Sequence, residues 1–211
     1  MSDQETAQNI LINKLNVSAE AFNDLKVLVN LLIKWNKTIN LVGKSTIADV
    51  WQRHIIDSAQ IWQHRPKTLN IWIDIGSGGG FPGLVLAILA KHQEPDAKFY
   101  LIESDVRKCA FLKNVSRETN LNTKIIADRI ENIQDLQADV VSARALASVD
   151  VLCELSHKFL TDNAFCLFLK GKGCDKEVEK ALVSWRFQSL KTKSISDDTG
   201  VILKVWNLER A

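Results

Sequence analysis

The chain has 211 residues, 46% hydrophobic and 25% charged, with a net charge of +2. Such a length holds one sizeable α/β domain with a modest extension, not two full enzyme domains. No run approaches the roughly 18 apolar residues of a membrane-spanning helix, and a charge of +2 does not by itself announce nucleic acid.

The opening Met1–Thr6 is polar and acidic, unlike a secretory leader, which predicts a cytoplasmic protein. Cys109, Cys153, Cys166 and Cys174 are widely spaced, with no C-x-x-C pair. They are expected to be reduced, buried thiols rather than disulfides or metal ligands, and no metal site is expected. Nothing in the sequence demands more than a monomer.

The first seventy residues read as helical. Leu25, Leu28, Leu32 and Trp35 recur at helical spacing, with Ser18 suited to the N-cap. A second amphipathic stretch runs from about Ser45 to His64, with Ile47, Val50, His54, Ile55, Ser58 and Ile61 along one side. Asn40-Leu41-Val42-Gly43 lies between them as a predicted loop, and Trp35, Trp51 and Trp62 fall on apolar faces.

From Leu69 the character changes, predicting a boundary between an N-terminal helical cap (1–68) and a second unit (69–211). Ile71–Ile75 reads as a buried strand entering a glycine-rich turn, followed by a helix from Leu84 to Lys91. A strand over Lys98–Glu103 and a helix from Asp105 to about Thr119 come next, then strands at Thr123–Ala127 and Asp139–Ser142. A helix around Val149–Phe159 and an apolar run at Phe165–Leu169 complete the alternation. This pattern predicts a parallel sheet covered on both faces. Near the end, Phe187–Ile195 and Val201–Leu208 flank an Asp/Gly turn, predicting a hairpin whose last strand is antiparallel to its neighbour.

The sharpest feature is Asp74-Ile75-Gly76-Ser77-Gly78-Gly79-Gly80-Phe81-Pro82-Gly83. Glycines after a first parallel strand let the backbone turn tightly and approach a ligand. Two readings compete. Gly78, Gly80 and Gly83 satisfy G-x-G-x-x-G, with Glu103 closing the next strand as in a dinucleotide site. Alternatively the turn lines the methionine part of S-adenosylmethionine, and Glu103 accepts the ribose hydroxyls. Both make the same demand on Glu103. The helical first seventy residues leave little room for a dehydrogenase's separate substrate domain, and Asp74 suits a cationic sulfonium better than a pyrophosphate.

The glycine motif, with Arg53-His54-Ile55-Ile56-Asp57-Ser58, Trp35-Asn36-Lys37 through Asn40-Leu41, Ser142–Ser148 and Leu169-Lys170-Gly171, resembles the glucose-inhibited division protein B family of 16S rRNA guanine-N7 methyltransferases. The likeness runs in order over about residues 25 to 172. It implies a class I S-adenosylmethionine-dependent methyltransferase fold, with seven mostly parallel strands, a C-terminal antiparallel hairpin and an N-terminal helical extension. It also implies S-adenosylmethionine as cofactor and 16S rRNA or a small-subunit particle as partner. Carried over by position, Asp74, Gly76, Gly78 and Phe81 belong to the cofactor turn and Glu103 to the ribose. Arg129, Ile130 and Glu131 fall at the adenine pocket, and Arg144 faces cofactor and substrate. This chain has Leu146 where an aromatic is common and Asn-Leu-Val at 40–42 in place of Asn-Leu-Thr, and its final forty residues match loosely.

Guanine N7 carries a lone pair and no proton, so its methylation needs positioning rather than a general base. Arg144 is the expected positioning residue, able to donate to a guanine edge, a phosphate or the cofactor carboxylate. Arg53, His54 and Lys170 are candidates for substrate RNA, although His54 and Asp57 also fit a polar network on one helix. Arg107, Lys108, Lys113 and Arg117 give the helix after Glu103 a basic face, solvated or in contact with RNA. A small-molecule methyltransferase, a nicotinamide-dependent oxidoreductase and a non-catalytic RNA-binding module are the alternatives.

Overall fold

A computed structural model describes residues 3–211, so Met1 and Ser2 of the polar opening lie outside the described residues. Helices α1 (Asp3–Asn13) and α2 (Ala19–Trp35) open the chain. The Ser18 hydroxyl accepts from the Ala21 amide at 3.1 Å, satisfying one of the free N–H groups of α2's first turn.

The stretch expected to be one amphipathic helix is composite. A 3-10 turn at Lys44–Thr46 precedes a π-helical segment, Trp51–Ile56, one α turn (α3, Asp57–Ala59) and a 3-10 turn, Gln60–His64. Of the face expected to be apolar, Val50, His54, Ile55, Ser58 and Ile61 are buried, while Ile47 is half-buried.

Among the described residues seven strands form one sheet: β1 (Ile71–Ile75), β2 (Lys98–Glu103), β3 (Thr123–Ala127), β4 (Ala138–Arg144), β5 (Leu160–Lys170), β6 (Trp185–Lys193) and β7 (Val201–Arg210). Their order is β3-β2-β1-β4-β5-β7-β6. Pairs from β3 through β5 are parallel, whereas β7 is antiparallel to both β5 and β6. The predicted hairpin is therefore present. Helices α4 (Gly83–Gln93), α5 (Val106–Glu118), α6 (Val149–Ser156) and α7 (Cys174–Ala181) complete the layers. Helix α7 was not foreseen.

Alternation along the strands divides the core. On one face Trp72, Phe99, Val140 and Leu167 pack with Leu25, Leu28, Ile55, Trp62 and Phe111 from α2, the 51–64 segment and α5. On the other, Ile73, Val141, Phe168 and Leu203 meet Leu152 of α6 and Ala181 of α7. Trp51 and Trp62 are core residues, and Trp35 packs edge-on against Phe111 with ring centroids 5.9 Å apart. No helix of the described residues is long and apolar enough to cross a membrane.

All four cysteines are buried and unpaired. Burial raises each thiol pKa, that of Cys153 to about 12.

Leu28 of α2, fully buried in the core where α2 packs on α4 and α5, is the test of this packing. Leu28→Ala is expected to cost about 3 kcal/mol in urea denaturation. Val183→Ser, at a position 81% exposed, should leave the midpoint unchanged. Equal loss in both variants would contradict the packing described.

Candidate functional site

The sheet order reverses at β1: β2 and β3 extend one way, β4 the other. The crevice beyond the carboxyl ends of β1 and β4 is where a ligand fits an open parallel sheet. A cavity of about 430 Å³ opens there, lined by Gly76, Gly78, Phe81, Glu103 and Arg144 among others. Ile130 and Glu131, in the 3-10 turn after β3, and Arg129 just before that turn also line it. The structure thus brings together every predicted cofactor residue except Asp74.

The glycine turn has almost no side-chain volume to spare. Gly76 has φ +65°, and a Cβ there would lie 2.7 Å from the Leu146 side chain. Gly78, also left-handed at +52°, donates its amide to Glu103 Oε2 at 2.8 Å. Of the three glycines in G-x-G-x-x-G, only Gly78 lines the cavity: Gly80 packs on Leu84 and Gly83 on Asp74. That departs from a pyrophosphate-binding loop.

Asp74 is the main correction. It shares strand parity with Trp72 and points into the core, not the cavity, at 1% exposure. Its Oδ1 accepts from the Ser142 hydroxyl at 2.6 Å, and Ser142 Oγ in turn accepts from Trp72 Nε1 at 2.9 Å. A Cβ on Gly83 would lie 2.6 Å from Asp74 Oδ2, so the carboxyl sits at the N-terminus of α4. Burial raises its pKa to about 6, against the opposing pull of the Ser142 and Ser77 hydroxyls.

Glu103 closes β2 with both oxygens placed, Oε2 on the Gly78 amide and Oε1 on the Asp105 amide at 2.8 Å. Each oxygen keeps acceptor capacity toward the cavity.

Arg144, at the end of β4, is held on three sides. Nη1 donates to the Arg53 carbonyl at 3.0 Å and to Asp57 Oδ2 at 3.1 Å, while Nη2 lies 2.6 Å from His54 Nδ1. The guanidinium also sits 5.1 Å from the Phe81 ring centroid, and the His54 ring stacks on the same phenyl at 5.0 Å. Because a guanidinium only donates, Nδ1 of His54 must accept, leaving Nε2–H for Thr46 Oγ1 at 2.8 Å. Burial first, then Arg144 and Arg53, lowers the His54 pKa to about 3. His54 is a neutral spacer with both ring nitrogens engaged.

The predicted loop at 40–43 arches over the turn. Asn36 Oδ1 accepts from the Leu41 and Val42 amides at 2.8 and 3.0 Å, and a Cβ on Gly79 would meet the Leu41 carbonyl at 3.0 Å.

The RNA candidates separate. Arg53 is exposed, 4.0 Å from Asp197, and does not pair with Asp57. Lys170 is neither solvated nor free, since it pairs with Glu177 at 2.7 Å and donates to the Ala147 carbonyl at 2.8 Å. Arg107 pairs with Asp105 and Arg117 with Glu118, while Lys108 lines the cavity.

Leu41, Ser77, Asp128, Ala145 and Leu146 also line it, although the sequence reading gave none of them a site role. Asp128 follows the carboxyl end of β3, a position that was itself a signal. Ala145 adopts φ +52°, an unfavourable conformation for a residue with a Cβ.

The family model GidB, rRNA small subunit methyltransferase G, matches residues 21–202. The chain is 43% identical over 198 residues to a "Ribosomal RNA small subunit methyltransferase G" of Cereibacter sphaeroides, covering 94% of this chain and 96% of that one. Its fold is similar to that of an MtNAS mutant crystallised with S-adenosylmethionine, with TM-score 0.58, 14% identity and 97% and 84% of the two chains covered. It is also similar to a TehB-like S-adenosylmethionine-dependent methyltransferase of Corynebacterium glutamicum, with TM-score 0.55, 12% identity and coverage of 86% and 98%. The seven-stranded methyltransferase fold expected from sequence is the one observed.

Asp74 and His54 tilt stability in opposite directions with pH. The folded state keeps the Asp74 proton up to about pH 6, while the unfolded chain releases it near 3.8. Stability therefore falls as pH rises through that window, by roughly 3 kcal/mol in total. Unfolded His54 binds a proton below about 6.5 while the folded ring stays neutral to about 3, so its contribution is present above 6.5 and lost on acidification. Asp74→Asn is expected to steepen the rise of Tm between about pH 4 and 6.5, and His54→Gln to flatten or reverse it. Thermal melts across this range check both, and three parallel curves would refute the assignment.

Proposed function

The chain belongs to the GidB family of rRNA small subunit methyltransferases, and from that premise we propose that it transfers the methyl group of S-adenosylmethionine to N7 of a guanine in 16S rRNA. The observation that carries the reading is the cavity beyond β1, β2 and β4, where the bare glycine turn faces the Glu103 carboxylate.

The residues present suit the cofactor. Gly76, Gly78 and Gly79 leave the floor free of side chains for its methionine part, and Glu103 has acceptor capacity for two ribose hydroxyls. Ile130 offers apolar surface to the adenine, with Arg129 and Glu131 beside it. Lys158 holds that turn by donating to the carbonyls of Ile130, Glu131 and Ile133. When bound, S-adenosylmethionine supplies an electrophilic methyl carried on sulfur.

The remaining task is positioning, since N7 has no proton to remove. Arg144 borders both this cavity and a second one of about 310 Å³ reaching Lys170 and Gly171, so it can donate to a guanine between them. A neutral His54, stacked on Phe81 and bonded to Thr46, keeps the guanidinium in place without competing for its proton. Asp74 acts beneath the turn rather than on the ligand. The exposed Arg53 and the basic residues of α5 are the groups offered to RNA phosphates.

We also read residues 1–68 as a cap on a methyltransferase unit at 69–211. The enzyme is taken to be a monomer of the cytoplasm, a compartment that its four unpaired thiols suit.

Glu103→Gln replaces one acceptor oxygen by a donor and is expected to weaken S-adenosylmethionine binding about tenfold or more by calorimetry. Arg144→Lys should leave that affinity near wild type yet lower turnover on unmethylated 16S rRNA about ten- to a hundredfold. Mass mapping of the labelled RNA must find the methyl on guanine N7. Label confined to another base, or wild-type protein that does not bind the cofactor, refutes the reading.

A further inference from the structure

The β6–β7 connection occupies a place its sequence does not advertise. Because β7 runs antiparallel to β5, with Val201 opposite Lys170, the hairpin's tip rather than its ends lies at the carboxyl edge of the sheet. There the tip is clamped by the 51–64 segment. The Ile195 amide donates to Gln60 Oε1 at 2.8 Å, and the Ser196 carbonyl accepts from Gln52 Nε2 at 3.0 Å. Ser196 Oγ donates to Asp57 Oδ1 at 2.7 Å, and the Gln60 amide nitrogen lies 3.1 Å from the same oxygen. Gln60 is buried at 3% exposure while Asp57 and Ser196 are half-buried, and the Ser194 hydroxyl, 2.8 Å from Ser196 Oγ and 2.9 Å from Gln60 Nε2, completes the cluster. The other oxygen of Asp57 holds Arg144.

A tether for the hairpin needs only the main-chain bonds to Gln52 and Gln60. The Ser196 hydroxyl adds something else: it occupies one oxygen of the carboxylate whose other oxygen carries the guanidinium. We propose that Ser196, seconded by Gln60, is a positioning residue for methyl transfer, fixing Asp57 so that Asp57 orients Arg144 between the two cavities. The inference rests on the role given to Arg144 above. It assigns a task to the hairpin tip, which holds none of the motifs on which the sequence resemblance rested. Asp197, Gly200 and Val201 of the same tip line the second cavity, so the tip faces the substrate side and not the glycine turn.

The test uses the full chain and unmethylated 16S rRNA, with kcat, KM, cofactor affinity and Tm measured for Ser196→Ala, Ser196→Thr, Asp57→Asn and the Asp57→Asn/Ser196→Ala pair. Ser196→Ala should lower kcat about tenfold, the worth of one hydrogen bond to a charged group, with cofactor Kd and Tm near wild type. Ser196→Thr, which keeps the hydroxyl, should recover most of it. In the Asp57→Asn background Ser196→Ala should have little further effect, because the path through the carboxylate is already broken. Additive losses, or a fall in Tm with kcat unchanged, would overturn the inference and leave a tether. Wild-type protein that methylates no rRNA would overturn the functional reading together with this one.

Discussion

The chain must reverse after β1 with almost no side-chain volume. Below the turn sits the Asp74 carboxyl, against which a Cβ at Gly83 would collide, and above it Leu146 crowds Gly76. Two further glycines, Gly78 and Gly80, take left-handed conformations that residues with a Cβ rarely adopt. Everything at the carboxyl edge inherits its place from this bend. It presents the Gly78 amide to Glu103, sets Phe81 under Arg144 and starts α4 over the strand that precedes it.

Electrostatics then divides labour between two buried ionisable groups of opposite kind. Asp74 is driven toward its protonated form and His54 toward its neutral one, both by loss of water. The charge that remains at the site lies where it can meet a ligand, on Glu103 and on Arg144 with its partner Asp57. The guanidinium, with a carboxylate, a carbonyl, an imidazole nitrogen and a phenyl face about it, is positioned before any substrate arrives.

Much of this was legible from local pattern. The alternation of apolar strands and helices gives the sheet, the Asp/Gly turn gives the hairpin, and the glycine cluster with Glu103 gives the cavity. Asp74 was misread although its parity was available: two residues after the buried Trp72, it had to share that residue's face. Helix α7 was missed because its apolar positions, Cys174, Val178 and Ala181, are few within a charged octapeptide, though their spacing is helical. The composite 51–64 segment keeps the expected face while changing helical pitch, which periodicity cannot resolve over so few turns. The Asp57–Ser196 contact joins residues 139 apart, and nothing local encodes it.

The four thiols have a consequence of their own. Each is buried and none is held as thiolate, so alkylating or oxidising reagents meet no nucleophile on the native surface. They sit at separate points: Cys109 beneath the Glu103 carbonyl, Cys153 and Cys166 in the core between α6 and the sheet, and Cys174 at the start of α7. Modification must wait for the surrounding structure to part, so the rate at which each sulfur reacts becomes a clock for the breathing of its own neighbourhood. The protein carries, without engineering, four internal reporters of where it opens first.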